Sequence, residues 1–258
     1  MEATGRTDTV DIFRKVMGCS LASVALAIAL LAALVAVASG FGSRLGMWHF
    51  RTGFTILHWG AGFAAASLPA AVVSIVLSVR KRLWFCTAIS AAALILGAAI
   101  LSVPLNWKRA AAEAPPIHDI TTDLAEPPRF VALLPLRQDA PNPAEYGGAS
   151  VALAQQTAYP DIKTLLLDLP ADQAFPLVQE TVKRLGWDVV AAVPEEGRIE
   201  ATDTTFWFGF TDDIVVRVTP AGHRSLVDIR SVSRVGRSDA GTNAARIRRF
   251  LAAFHPRG

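Results

Sequence analysis

Residues 211–234 read TDDIVVRVTPAGHRSLVDIRSVSR, and the fold turns on them. Ile214, Val216 and Val218 alternate with Val215, Arg217 and Thr219; Val227, Ile229, Ser231 and Ser233 alternate with Asp228, Arg230, Val232 and Arg234. A period of two marks strands that turn one face to a core. Pro220, Ala221, Gly222 and His223 form a turn between them, so the strands pair antiparallel. Keeping the apolar residues on one face restricts the register: one allowed pairing sets Asp213 opposite Arg230, the next sets Arg217 opposite Asp228. Either places opposite charges across the pair, worth about 0.2 to 1 kcal/mol.

Upstream, residues 162–169 read as a strand, and Pro170 opens a helix to about Leu185. Phe175, Val178, Val182 and Leu185 give that helix one apolar face, and Gly186 stops it. Residues 187–193 and 198–202 form a hairpin around Pro194, Glu195, Glu196 and Gly197. Downstream, a last helix starts near Ser238 or Asp239, either of which can cap it, and buries Ala244, Ile247, Phe250, Leu251 and Phe254. The order β-α-β-β-β-β-α predicts an α+β domain over residues 161–258, an antiparallel sheet with two helices on one face.

Residues 108–160 carry Pro115, Pro116, Pro127, Pro128, Pro135, Pro141 and Pro143 with no apolar period. They predict an extended connector that lies on the domain, anchored by Ile117, Phe130 and Leu133.

Ahead of it lie three uncharged apolar runs, 16–38, 55–79 and 83–104. About 20 such residues cross a bilayer as a helix, so residues 1–107 read as a three-helix transmembrane region. Ala36, Val37 and Ala38 resemble a signal-peptidase site, but the run is longer than a secretory signal, which predicts that the helix is retained. Arg80, Lys81 and Arg82 join the last two spans, and Arg6, Arg14 and Lys15 precede the first: six charges against Arg44, Arg51, Lys108 and Arg109 on the other side. Basic residues accumulate on the cytoplasmic face. The expected setting is a bacterial inner membrane, with the N-terminus cytoplasmic and the C-terminal domain periplasmic. In the second span, Gly60 with Ala64 and Gly62 with Ala66 permit close helix packing, and Pro69 is placed to kink it. His58 falls near that span's outer end, which favours an interfacial position. Cys19 and Cys86 lie in apolar runs and are expected to be buried small side chains.

Charge is unevenly distributed. Residues 110–213 hold six basic and seventeen acidic side chains, and residues 214–258 hold nine basic and two acidic. Mutual neutralisation within one domain is the plain reading; a basic face turned to anionic lipid or polymer is the functional one.

The stretch Thr211 to Val218, the stretch Val227 to Gly236, and Ser238, Asp239, Ala240, Gly241, Thr242 and Asn243 resemble domain of unknown function family 1499 over the C-terminal half of the chain. The resemblance implies a small α+β domain, often tethered to membrane helices in bacteria, with no agreed activity and no catalytic residues to carry over. The order of elements is also similar to helix-grip domains, at the level of fold alone.

Candidate anion- or partner-binding residues are Arg217, Arg230, Ser231, Ser233, Arg234, Ser238, Asp239 and Asn243, at a strand end leading into a helix start. Asp212 and Asp213 are adjacent in a strand and point to opposite faces, so they do not form an acid/base pair. No metal-ligand, nucleophile-elbow or phosphate-loop spacing occurs; no catalytic set, metal or cofactor is expected, nor a nucleic-acid partner. Phe206, Trp207, Phe208 and Phe210 interrupt the strand pattern. Burial in the domain core is the favoured reading, with Trp207 as a pocket-lining or lipid-facing side chain the sharper one. Two functions compete. The first is a non-enzymatic envelope domain binding an anionic lipid, a polymer or another protein through Arg217, Arg230 and Arg234. The second is a small enzyme or lipid-handling module with a pocket between sheet and helices.

Overall fold

A computed structural model describes residues 4–254, with side chains from Cys19 onward. The chain divides into two compact units, Met1–Lys108 with Trp207–Gly209, and Arg109–Phe206 with Phe210–Gly258.

The first unit is built on α1 (Thr4–Arg44), α2 (Phe50–Arg80) and α3 (Trp84–Glu113). Each contains a segment long and apolar enough to cross a membrane: Cys19–Arg44, Phe50–Arg80 and Trp84–Glu113. The side chains of Arg6, Arg14, Lys15 and Val16, where the first run starts, lie outside the description. Buried positions recur at three and four along each helix: Ala22, Ala25, Ala29, Ala32 and Ala36; Gly60, Ala64, Ser67, Ala71, Ser74 and Ser78; Cys86, Ser90, Ala93, Gly97 and Ile100. That 3.5-residue period belongs to helices in left-handed contact. The buried residues are mostly small, whereas Leu30, Leu34, Val73, Val76 and Ile95 are exposed. Such an arrangement suits hydrocarbon, where close approach of small residues replaces hydrophobic burial as the packing force.

Of the two glycine pairs, Gly60 with Ala64 is used: a Cβ on Gly60 would lie 3.2 Å from the Ala36 nitrogen, while one on Gly62 would meet nothing. Ser90 donates to Ser74 across α2 and α3 at 2.7 Å. Cys19 and Cys86 are joined as a disulfide tying α1 to α3, rather than packing as two separate apolar side chains. α2 continues through Pro69, and His58 is exposed on it.

The second unit is a six-stranded antiparallel sheet. Its strands are β1 (Asp119–Thr121), β2 (Leu165–Leu167), β3 (Asp188–Val193), β4 (Arg198–Thr204), β5 (Thr211–Ala221) and β6 (Arg224–Ser233). The order is β1-β6-β5-β4-β3, with β2 also pairing β6. β5 and β6 pair with Arg217 opposite Asp228, the second of the two registers the apolar alternation allowed. Helices α5 (Ala171–Arg184) and α6 (Thr242–Ala252) cover one face. There Phe175, Val178, Val182, Ala244, Ile247 and Phe250 meet Ile199, Ile214, Val216, Val227 and Ile229, all buried. Each such large side chain contributes about 1.5 to 3 kcal/mol. α6 begins at Thr242, later than expected, because Asp239 spends its carboxylate on the amides of Gly241 (3.0 Å) and Asn243 (2.6 Å) in the turn before it.

The proline-rich segment is folded onto the sheet. It supplies β1 and α4 (Ala149–Ala158), and Ile117, Phe130 and Leu133 are all buried. Gln155 of α4 closes the free edge of β1: its amide donates to the Thr121 carbonyl (2.6 Å) and accepts from the Thr121 amide (2.9 Å).

Candidate functional site

Alternation along the sheet sorts its polar residues onto two faces. Asp203, Asp212, Ser231 and Ser233 share the helix-covered side with Ile214 and Ile229, while Glu200, Asp213, Arg217, Asp228 and Arg230 point to the other. The proline-rich segment covers that other face. Phe130 and Leu133 pack there on Val215 and Val232.

Three guanidiniums organise this second face. Arg230, 2% exposed, donates to both oxygens of Asp119 (2.9 and 2.7 Å) and to the carbonyls of Pro128 (3.2 Å) and Ala144 (2.8 Å). Its guanidinium carbon lies 5.2 Å from the Phe130 ring centre and 5.5 Å from that of Tyr146. Arg217 meets Asp123 (2.8 Å), Asp228 (3.0 Å) and the Glu126 carbonyl (3.0 Å). Burial works against its charge, yet the two carboxylates hold its pKa above the ordinary arginine value. Arg234 grips Asp213 through both oxygens (2.9 and 2.8 Å), and Arg137 meets the same carboxylate. Glu200, fully buried, accepts from the amides of Val131, Ala132 and Leu133 and from Arg198. It thereby fastens the covering segment to β4.

Between this segment and the sheet lies a half-open cavity of about 840 Å³. Pro127, Pro128, Phe130, Val131, Leu134, Ala144 and Val215 give it largely apolar walls, with Arg198, Arg217, Arg230 and Tyr146 among its polar lining. That volume falls in the range of small-molecule sites. Two polar atoms of lining residues are buried without a hydrogen-bond partner, the Tyr146 hydroxyl and Arg217 Nε. Burial and the charge of Asp119 push Tyr146 up to about 12, against the opposing pull of Arg230, so its hydroxyl stays protonated.

The eight residues singled out from the sequence therefore do not form one site. Arg217, Arg230 and Arg234 lie on the cavity side, and only Arg217 and Arg230 line the cavity. Ser231 and Ser233 lie beneath α6, which carries Asn243. Ser231 donates to Asn243 Oδ1 (2.7 Å), the Asn243 amide reaches Ser233 Oγ (3.0 Å), and Arg246 donates to Ser231 Oγ (3.1 Å) and Asn243 Oδ1 (2.5 Å) while pairing with Asp203 (2.9 Å) and Asp212 (2.6 Å). Ser238 donates to the Pro115 carbonyl at 3.1 Å. Burial, with the nearby Asp212 charge, raises the Asp239 pKa although two backbone amides stabilise its ionised form. Strand alternation is the reason for the split, since neighbouring residues of one strand serve opposite faces. Asp212 and Asp213 separate in the same way.

Trp207 does not line the cavity, and neither it nor Phe208 joins the core of the sheet. Both belong to the first unit, where the Trp207 indole donates to the Val37 carbonyl (3.2 Å) and lies 5.4 Å from the Trp107 ring. A Cβ on Gly40 would collide with the Trp207 ring. Sequence reasoning missed Tyr146, Arg198 and Glu200. Tyr146 sits in a stretch without period, and Arg198 and Glu200 are ordinary polar positions of a hairpin strand.

A family model described as a protein of unknown function (DUF1499) matches residues 119–254. No curated protein matches the chain.

Proposed function

The chain belongs to the DUF1499 family, and from that membership we propose that it is a bacterial inner-membrane protein whose C-terminal domain, on the periplasmic side, binds an envelope component without transforming it. The observation that carries this reading is the 840 Å³ cavity with two unpartnered polar atoms among its lining residues. Unmatched buried donors disfavour the empty state, and a ligand that supplies acceptors relieves that cost. A binding role fits better than catalysis because the buried carboxylates beside the cavity are committed, while Glu126 and Glu145 of its lining are exposed to solvent. Glu200 takes three amides and Arg198, and Asp228 takes Thr122 (3.0 Å), Thr164 (2.6 Å) and Arg217. No free acid and base pair remains among these groups.

The filled interface between sheet and helices moves the pocket of the lipid-handling alternative to the opposite face. The periplasmic placement draws support from Arg80, Lys81 and Arg82 between α2 and α3. Mass spectrometry on full-length protein purified in mild detergent should release a small molecule in near-stoichiometric amount. Val131→Trp, which fills the cavity from an exposed wall position, should abolish its retention at unchanged melting temperature. Equal retention by both proteins would refute the cavity as the site.

A further inference from the structure

We propose that the cavity is specific for a neutral amphiphile, an apolar body carrying an ester, amide or ketone oxygen, and discriminates against phosphate and carboxylate headgroups. The inference rests on the binding role argued above and adds the class of ligand.

Charge balance carries it. At first sight a pocket bearing several arginines suits an anion. Each inner guanidinium here is already neutralised: Arg198 by Glu196 and Glu200, Arg217 by Asp123 and Asp228, and Arg230 by Asp119. Glu126 and Glu145 also line the cavity, and they outnumber Arg129, the lining guanidinium that has no carboxylate partner among the described residues. An anion entering this space meets carboxylates already in possession of the buried cations, and it loses its hydration for a single solvent-exposed guanidinium, Arg129. The unused capacity among buried lining atoms is two donors, the Tyr146 hydroxyl and Arg217 Nε. Two buried donors among guanidiniums whose charge is already matched suit a carbonyl oxygen, and the walls formed by Pro127, Phe130, Val131 and Val215 match a hydrocarbon body. Both atoms are buried within residues that line the cavity, so reaching a ligand requires a turn of each side chain. Tyr146 remains a donor across the physiological range because its pKa is pushed to about 12.

The test uses the full chain in lipid nanodiscs, with methyl laurate and dodecyl phosphate as probes that share a tail and differ in headgroup. Tyr146→Phe removes the hydroxyl and keeps the ring against Arg230. Comparing it with the unaltered protein cancels partitioning into the bilayer. Methyl laurate should bind the unaltered protein, lose about five- to tenfold in affinity with Tyr146→Phe, as for one neutral hydrogen bond, and lose saturable binding with Val131→Trp. Dodecyl phosphate should bind at least about tenfold more weakly. Tyr146→Phe should melt no lower than the unaltered protein, since it deletes a hydroxyl without a partner. Tighter, salt-sensitive binding of dodecyl phosphate would overturn the neutral class and leave the binding role standing. If neither probe shows a component that responds to either substitution, and the purified protein carries no small molecule, both fall.

Discussion

Arg230 and Arg234 sit four residues apart on one strand face, yet their surroundings predict different costs of removal. Arg230→Ala strands Asp119 in a buried site and frees two carbonyls, so it should destabilise the protein by about 3 to 5 kcal/mol in chemical denaturation. Arg234→Ala leaves Asp213 with Arg137 and should cost about 1 to 2 kcal/mol, toward the low end for a hydrogen bond to a charged group. Asp123 adds a pH dependence. Burial alone would raise its pKa, but the amides of Glu126 and Ala125 and the Arg217 guanidinium outweigh it and hold the pKa below the ordinary value. A depressed carboxylate stabilises the fold above its unfolded pKa, near 4, and that contribution is lost as pH falls through the folded value. Asp123→Asn should therefore flatten the acid limb of a stability profile taken between about pH 5 and 2. At this scale the sequence was partly readable. Basic residues of the C-terminal segment do pair with acidic ones before residue 214, as Arg230 with Asp119, Arg234 with Asp213 and Arg248 with Asp161 show. Their assignment to separate faces needed only the strand period. Their employment by the covering segment did not show, because contacts such as Arg230 to the Pro128 carbonyl join residues 102 apart in the chain.

Among the elements, β5 and β6 and helices α5 and α6 were legible because a period of two runs through each of those strands and one of three to four through each helix. The proline-rich stretch was harder. Its buried anchors Ile117, Phe130 and Leu133 stand out as apolar residues, but β1 is three residues long and owes its existence to β6 and Gln155. Local sequence cannot announce a strand whose partner arrives from residues 230–232. In the helical unit, the recurring small residues repeat too regularly to be incidental, and this predicts a contrast between neighbours. Gly60→Leu should separate α1 from α2 and lower the melting temperature in detergent, whereas Gly62→Leu, two positions away and facing open space, should leave it unchanged. A second contrast concerns Gly197, which holds φ at 61° and would drive a Cβ into the Val218 carbonyl. Gly197→Ala should cost about 1 to 2 kcal/mol from the left-handed backbone alone, with the collision added.

For the molecule as a whole, the proposed orientation is open to a direct check. Alkaline phosphatase fused after Gly258 should be active in intact cells, and a fluorescent reporter at the same point should be dark; the reverse would turn the domain to the cytoplasm. The same orientation places the Cys19 and Cys86 end of the bundle beside Arg80, Lys81 and Arg82, toward the reducing compartment. Acid-quenched cells should then yield both cysteines as free thiols, with the cross-link forming on isolation. A bond already present at the quench would argue for the inverted arrangement.

The division of the chain has a practical corollary. Because Trp207, Phe208 and Gly209 belong with the helices although they fall between two strands, no single cut liberates the carboxy-terminal fold intact. A fragment begun at residue 109 would carry an orphaned indole and phenyl ring into water and should adhere to micelles or to its own kind. Replacing Trp207 and Phe208 with serine in that fragment is the change expected to make it monodisperse.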